Sequence, residues 1–311
     1  MLWSQVQILP GPPNLFNQLY KMTDFNNVTK IITHAGHAHR DDFLSVCFTL
    51  ALCGEYNNEP VVERRNPTEE ELNDADVVVL DVGEKHQPEL SNFDHHQFNR
   101  NDDPACALTL LLKGIDIYEE ANLGFRWLNA TEKFDSKGPY FVANEIGIEW
   151  NKISDVTFSP IEEAILNRFS STKYHPKSDV YILMRHIGQQ LLNTLEQFTE
   201  RWQKLSETTT TLEVDNNLIV ISVGVNGDDD PSFALNAFVE EKHPSAVATV
   251  TFDDRGNGLC LFRLNDSLKL DFSQIENDPR ILFAHKNGFV AKTHNVLNEQ
   301  ELTEVFQKSL T

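Results

Sequence analysis

Positive charge is what this 311-residue chain has least of: 26 lysines and arginines stand against 47 aspartates and glutamates, a formal charge of −21. Coating nucleic acid through a broad basic face needs many cationic contacts to phosphates, so the composition argues against that mode and leaves room only for a local basic groove. Cysteine is scarce too. Cys47, Cys53, Cys106 and Cys260 lie in or beside apolar runs and form no close CxxC pair. Neither a zinc cluster nor a disulfide framework is indicated, and a reducing, cytoplasmic setting fits. No stretch approaches the ~18 consecutive apolar residues that span a bilayer, so no membrane association is expected. The first 21 residues lack a positive region followed by an apolar core, and they lack arginine. Neither a signal peptide nor a transit peptide is therefore expected. With Pro10, Pro12 and Pro13 and no periodicity, residues 1–21 read as a non-native or disordered leader, and the first domain is expected to start near Met22.

What remains is an ordinary globular composition, 40% hydrophobic and 23% charged, long enough for two domains. Val28 to Thr33 and Val77 to Leu80 read as strands buried on both faces. Between them Phe43, Leu44, Cys47, Phe48, Ala51 and Leu52 recur at helical spacing, with Gly54 as a C-cap. Asp103-Pro104 reads as an N-cap and first helical residue, opening a helix through Leu110 to Gly114. Strand, helix and strand in alternation predict an α/β domain with a mostly parallel sheet flanked by helices. From Ser178 to Leu205 a single apolar stripe, Ile187, Leu191, Leu195, Phe198, Trp202 and Leu205, predicts one long helix, which the Ser206 to Thr211 stretch breaks. The expected division is therefore a domain over 22–205 and a smaller α/β domain over 206–311, joined by that helix. In the second, Leu218 to Val223 reads as a strand and Asp230-Pro231 as a helix start. Ala246 to Phe252 and Leu259 to Leu264 form a hairpin across Asp253 to Gly258. Asn287-Gly288 marks another turn, and Leu302, Val305, Phe306 and Leu310 the apolar side of a last helix.

Six of the eleven histidines fall between His34 and His96, beside aspartates at the ends of predicted strands. Open α/β sheets place their ligands at the carboxyl ends of strands, so His34 and Asp81 should emerge on one rim. His34, His39 and Asp41 can converge from a strand-to-helix loop in which Gly36 allows a tight turn. A buried strand carries Asp81 to a place where an unpaired charge is expensive, and a cation would offset that cost. Of the neighbours His95 and His96, one should bind metal while the other points to substrate, since side chains on a strand alternate faces. Asp94 can orient an imidazole. His37 and Arg40 stand at the mouth as titratable and positive groups, or as plain loop residues.

Taken together, Thr33-His34-x-Gly36-x-x-His39-x-Asp41, Asp81-Val82-Gly83 and Asp94-His95-His96-Gln97 resemble the melanocyte proliferating gene 1 exonuclease family, a relative of the DHH phosphoesterases and family II pyrophosphatases. Phe134-Asp135-Ser136-Lys137-Gly138 resembles a later family motif with an aspartate in a turn. Phe283 to Phe289, with Thr293-His294, resembles its carboxy-terminal segment. The resemblance implies a DHH-like catalytic domain with two ions, Mn²⁺ or Mg²⁺. His34 and His39 would hold one, Asp41, His95 and Asp135 the other, with Asp81 bridging and His96 facing the phosphate. In this chain Asp42 replaces the family's usual glutamate, a change expected to be neutral, and Ala291-Lys292 stands where relatives carry a glycine pair. Two ions about 3.5–4 Å apart can ionise a bridging water and stabilise charge on phosphoryl oxygens, leaving no need for a protein nucleophile.

The second domain should supply phosphate contacts from Arg263, Lys286, Lys292 and His294, while Arg255, in a turn, reads as an ordinary surface charge. The expected function is metal-dependent phosphoester hydrolysis with Asp81 and His96 at the reaction centre. As the resemblance implies, it acts as a 3′-to-5′ exonuclease on single-stranded RNA or short oligonucleotides held in an interdomain cleft. A small-molecule phosphatase or pyrophosphatase and a non-catalytic metal-binding protein are the alternatives, and a homodimer is compatible with all three.

Overall fold

The computed structural model describes residues 25–55, 57–153, 157, 159–224 and 233–311. The leader, the start at Met22 and the helix start at Asp230-Pro231 lie outside them. The chain divides into two compact units, Met1–Asn193 and Thr194–Thr311.

The first unit runs β1 (Lys30–Thr33), α1 (Arg40–Glu55), β2 (Val61–Arg64), α2 (Glu69–Leu72), β3 (Val77–Leu80), β4 (His86–Gln87) and β5 (Asn92–Phe93). There follow α3 (Ala107–Gly114), α4 (Tyr118–Gly124), α5 (Leu128–Lys137), α6 (Pro139–Glu145), α7 (Pro160–Arg168), β6 (Lys173–Tyr174) and the start of α8 (Asp179–Thr208). Its six strands lie in the order β4-β5-β3-β1-β2-β6. The inner pairs β5-β3, β3-β1 and β1-β2 are parallel and both edges antiparallel, giving a mixed sheet with a parallel centre.

Burial on both faces explains the unbroken apolar runs of β1 and β3. Ile32, Val77 and Val79 pack with Leu72 of α2 on one face, while α1 packs on β1 and β3. Nearly every residue of α1 from Asp41 to Cys53 is buried, so its apolar residues surround the axis rather than forming one stripe. In register Thr33 pairs with Leu80, and Leu80 with Phe93. The next residues of these three strands, His34, Asp81 and Asp94, therefore leave the sheet side by side.

Three expectations need correction. The helix read from Asp103-Pro104 starts at Ala107, capped by Cys106 and Thr109, because Thr109 Oγ1 accepts from the Cys106 N–H. Gly54 lies within α1, not beyond it. The serine and threonine stretch does not stop α8 at Leu205, since helix continues to Thr208 and Thr210 opens a strand.

The second unit holds the end of α8, β7 (Thr210–Val214), β8 (Asn217–Ile221), α9 (Ala234–Lys242), β9 (Ala246–Phe252), β10 (Leu259–Arg263), β11 (Ile281–Ala284), β12 (Val290–Thr293) and α10 (Glu299–Ser309). Its sheet, ordered β11-β12-β10-β9-β8-β7, is antiparallel except between β8 and β9. Leu302, Val305 and Phe306 of α10 join its core, Phe306 meeting Phe272 edge-on. Gly288 takes φ +67° in the turn before β12, as the Asn-Gly pair predicts. All four cysteines are buried and unbridged. Among the described residues no helix is long and apolar enough to cross a membrane.

Gly188 of α8 lies against α1 so closely that a Cβ would stand 1.9 Å from the Cys47 carbonyl oxygen. Alanine would improve helix propensity by about 1 kcal/mol. Forcing two packed helices apart costs about 1–3 kcal/mol, and more where the neighbour is backbone. Gly188→Ala is therefore expected to lower the urea midpoint despite its better propensity. An unchanged or higher midpoint would show that the helices part freely.

Candidate metal centre

Local geometry begins with Asp81, the residue after β3. Its φ is +59°, a left-handed conformation that aspartate tolerates at some cost, and its side chain is only 2% exposed. Gly83 follows at φ +98°, where a Cβ would press on Leu72 Cδ2 at 3.0 Å and Pro67 Cγ at 3.1 Å, so the turn requires glycine. His34 leaves β1, His39 directly precedes α1, and Asp41 is the second residue of that helix. Asp135 comes from α5: it lies in a helix, not in the turn expected from its motif.

Six residues meet at one rim. His34 Nε2 is 3.4 Å from Asp81 Oδ2, and His95 Nε2 is 3.2 Å from Asp81 Oδ1 and 2.8 Å from Asp135 Oδ2. His39 Nδ1 is 3.9 Å from Asp135 Oδ1. Donor atoms of His34, His39 and Asp81 lie within 4.8 Å of one another, and so do those of Asp41, Asp81, His95 and Asp135. The two sets share Asp81. A third grouping, Asp81 with Asp94, His95 and His96, is as compact. There, however, Asp94 is occupied, accepting from the Glu84 N–H at 2.7 Å, the His96 N–H at 3.1 Å and His96 Nδ1 at 2.6 Å. Asp94 thus orients His96 and has little left for an ion.

The donors of the first two sets are the reverse. His34 Nε2, both Asp41 oxygens, Asp81 Oδ1, His95 Nε2 and Asp135 Oδ2 are buried with no hydrogen-bond partner, their short mutual contacts lacking hydrogen-bond geometry. Because His34 Nδ1 lies 2.8 Å from the Ala35 carbonyl, which can only accept, its proton sits there and Nε2 is free to ligate. Unpartnered buried carboxylates are costly, and their convergence with free imidazole nitrogens is what a divalent cation fits. A pocket of about 840 Å³ opens on this rim, lined by His34, His39, Asp81, His95, His96 and Asp135, with Asn66, Glu69, Glu84 and Phe98 among its walls.

Two residues escaped sequence reasoning. Asp42 is wholly buried. Its Oδ1 accepts the His39 N–H at 2.8 Å, and its Oδ2 lies 3.1 Å from His34 Nε2 and 3.4 Å from Arg64 Nη2. Arg64, 2% exposed at the end of β2, also donates to the carbonyls of Gly36 and Phe169 and lies over the Phe169 ring at 4.5 Å. Asp42 therefore ties both ends of the His34–His39 loop. The signal for it was present, since Asp42 stands three residues after His39, the spacing of the reciprocal cap at a helix start.

Residues 30–105 match the model of a family described as "Uncharacterised protein family (UPF0160)" and labelled as the MYG1 exonucleases. The MYG1 exonucleases of Mus musculus and Homo sapiens are 43% and 41% identical over 68 residues, 22% of this chain and 17% of those proteins. The MYG1 protein of Schizosaccharomyces pombe is 38% identical over 77 residues, 25% of this chain and 22% of that protein. Over this segment the chain is similar to the MYG1 proteins. The alignments span 17% to 22% of the relatives' own length. Within the segment lie all the donors except Asp135, so the matched segment carries five of the six residues at the rim.

Outside it, the second unit's cations differ in availability. Lys292 Nζ is bound to Asp253 Oδ1 at 2.5 Å, and Arg263 to Asp266. Lys286, His294 and Arg255 are exposed. Arg40 forms a two-pronged pair with Glu162, both contacts at 2.7 Å, and His37 is exposed.

Burial and mutual charge set the titration of the rim. Asp42 above all, opposed by burial and aided by Asp81, holds the His34 imidazole up at about 9. Burial opposes a charged His95, yet Asp135 and Asp81 outweigh it and raise its pKa to about 10. Burial, then the neighbouring carboxylates, pushes Asp41 well above the usual carboxylate range, and burial also raises Asp81.

Two outcomes follow. A raised folded-state histidine pKa stabilises fully below about 6.5 and is lost as pH rises through the folded value, and raised carboxylates act in the same direction. The chelated protein should therefore lose thermal stability between about pH 6.5 and 8.5, and Mn²⁺, which needs deprotonated donors, should restore most at the upper end. Burial pushes the Cys47, Cys53 and Cys106 thiols up, so only the unfolded chain ionises them just above this window, and the manganese-dependent difference in Tm is therefore the measure. A difference that shrinks with pH would contradict the assignment. Asp42→Asn should weaken manganese at the His34–His39 set by about 10–100-fold while sparing the other set, seen as two-site behaviour by calorimetry. Equal weakening of both sets would show general damage instead.

Proposed function

We propose that the chain is a metal-dependent phosphodiesterase acting as a 3′-to-5′ exonuclease on single-stranded RNA or short oligonucleotides. The observation that carries this reading is the pair of unpartnered donor sets sharing Asp81. His34 and His39 would hold one ion and Asp41, His95 and Asp135 the other, with Asp81 available to both. The mixed imidazole and carboxylate donors suit manganese, with magnesium as the substitute. When bound, two such ions supply an ionised water for in-line attack and screen charge on the phosphoryl oxygens.

The chain's own side chains do the positioning. With His96 Nδ1 held by Asp94, its Nε2 is the nitrogen left for substrate, and the ring is 56% exposed. Protonated, it donates to a phosphoryl oxygen. Among the described residues lining the pocket there is no lysine or arginine, while Glu69 and Glu84 are present. With these acidic walls a singly charged diester meets less repulsion than the more highly charged pyrophosphate. This favours the diesterase over the pyrophosphatase, and the relatives' name supports nucleic acid as its source. The charge of −21 favours short strands or chain ends over tight polymer binding. Lys286 and His294 are the second unit's available phosphate contacts, with Lys292 and Arg263 joining only if their ion pairs open.

The test is manganese-dependent digestion of an oligoribonucleotide labelled at either end. The parent should release mononucleotides from the 3′ end and Asp81→Ala should fall to background. His96→Ala should slow turnover by about 10²–10³-fold while keeping both ions. Equal signal from parent and Asp81→Ala, or faster cleavage of pyrophosphate than of diester, would sink the reading.

A further inference from the structure

A second cavity, of about 410 Å³, adjoins the metal rim: His39 and Asp135 line it as well as the main pocket, and Asp41 lines it alone. Its far wall is different in kind. Ala38, Phe134 and Leu166 are apolar, and the Arg40–Glu162 pair spans the polar side, steadied where Arg40 Nη1 reaches Thr131 Oγ1 at 3.4 Å. Two-ion hydrolysis as described uses none of these groups.

Charge decides what this chamber can take. A phosphate would meet the carboxylates of Asp41, Asp135 and Glu162, while the one arginine on its wall is already committed to Glu162 through both prongs. A neutral, flat group meets no such repulsion. It finds the Phe134 ring, the Leu166 and Ala38 side chains, and a planar guanidinium–carboxylate fork, the kinds of surface on which heterocycles stack. The volume lies within the range of small-molecule sites. We propose that this chamber holds the base of a nucleoside attached to the phosphate at the metal rim. The assignment rests on the phosphodiesterase reading and deepens it, since the anionic phosphate and the neutral base then occupy adjoining cavities of matching charge. It also gives the enzyme a grip that does not depend on cations, which this acidic chain lacks.

Leu166 is the position that tests this, because it lines the chamber from α7, which carries none of the metal donors. The full chain loaded with Mn²⁺ is titrated with adenosine, which has no phosphate, and assayed on the dinucleotide ApA. Leu166→Trp fills the chamber. It should weaken adenosine binding by about tenfold or more and raise KM for ApA by a similar factor, with kcat within about threefold. Leu166→Ala, which empties the wall without blocking it, should keep measurable adenosine binding and bound manganese. Adenosine binding equal in the parent and Leu166→Trp, or a lowered kcat at unchanged KM, would overturn the chamber. Adenosine binding needs no turnover. A chain that binds it, loses it on Leu166→Trp and yet cleaves no diester upholds the chamber and overturns the hydrolase reading.

Discussion

A carboxylate carried out of water by a hydrophobic strand must find a partner, and at Asp81 the described residues bring other carboxylates and the imidazoles of His34, His95 and His96. Burying one unpaired ion costs several kcal/mol, and Asp41 and Asp135 add to that cost within the same few ångströms. Protonation relieves it in part, which is why His34, Asp41, Asp81 and His95 hold protons more tightly than usual. A divalent cation relieves it more completely. The left-handed turn at Asp81, the glycine after it and the arginine beneath the loop are features that make sense only if the rim must stay in this arrangement.

Five aspartates stand at or beside this rim, and hydrogen bonding separates them into two roles. Asp42 and Asp94 spend their oxygens on backbone N–H groups and on Arg64 or His96, fixing the loops that carry the donors. Asp41, Asp81 and Asp135 keep oxygens without partners. The same residue type thus builds the frame and supplies the charge, and only the count of satisfied oxygens tells which does which. Selectivity follows from a similar economy. With no lysine or arginine among the described residues of the main pocket's walls, attracting phosphate would fall to the ions, and the neighbouring cavity, with its apolar wall and paired Arg40 and Glu162, suits the uncharged part of the same ligand.

Much of the scaffold could be read along the chain. β3 is the apolar run Val77–Leu80 itself, and the Ala246 to Leu264 hairpin and the last helix stand where alternation and helical spacing put them. What escaped was short or locally ambiguous. β4 and β5 have two residues each, too few for a periodic signal, although β5 sets the register that brings Asp94 and His95 to the rim. The start of α3 was misread because Asp103-Pro104 has the chemistry of a helix start, while the pair that caps the helix, Cys106 with Thr109, has a weaker signature. Helix boundaries depend on which of several competent caps the rest of the fold can accommodate.

The histidine and aspartate spacing by itself determined which donors could converge, because strand ends in a parallel arrangement share one rim and buried runs cannot tolerate a bare charge. Their partnership was decided only in three dimensions. Whether an aspartate ligates or supports depends on what lies within 3 Å of each oxygen, and those neighbours come from residues as distant in sequence as Arg64 is from Asp42, or Asp135 from His95. Periodicity reports which side of an element faces the core. It carries no record of which polar atoms meet across elements, and at this rim that meeting defines the chemistry.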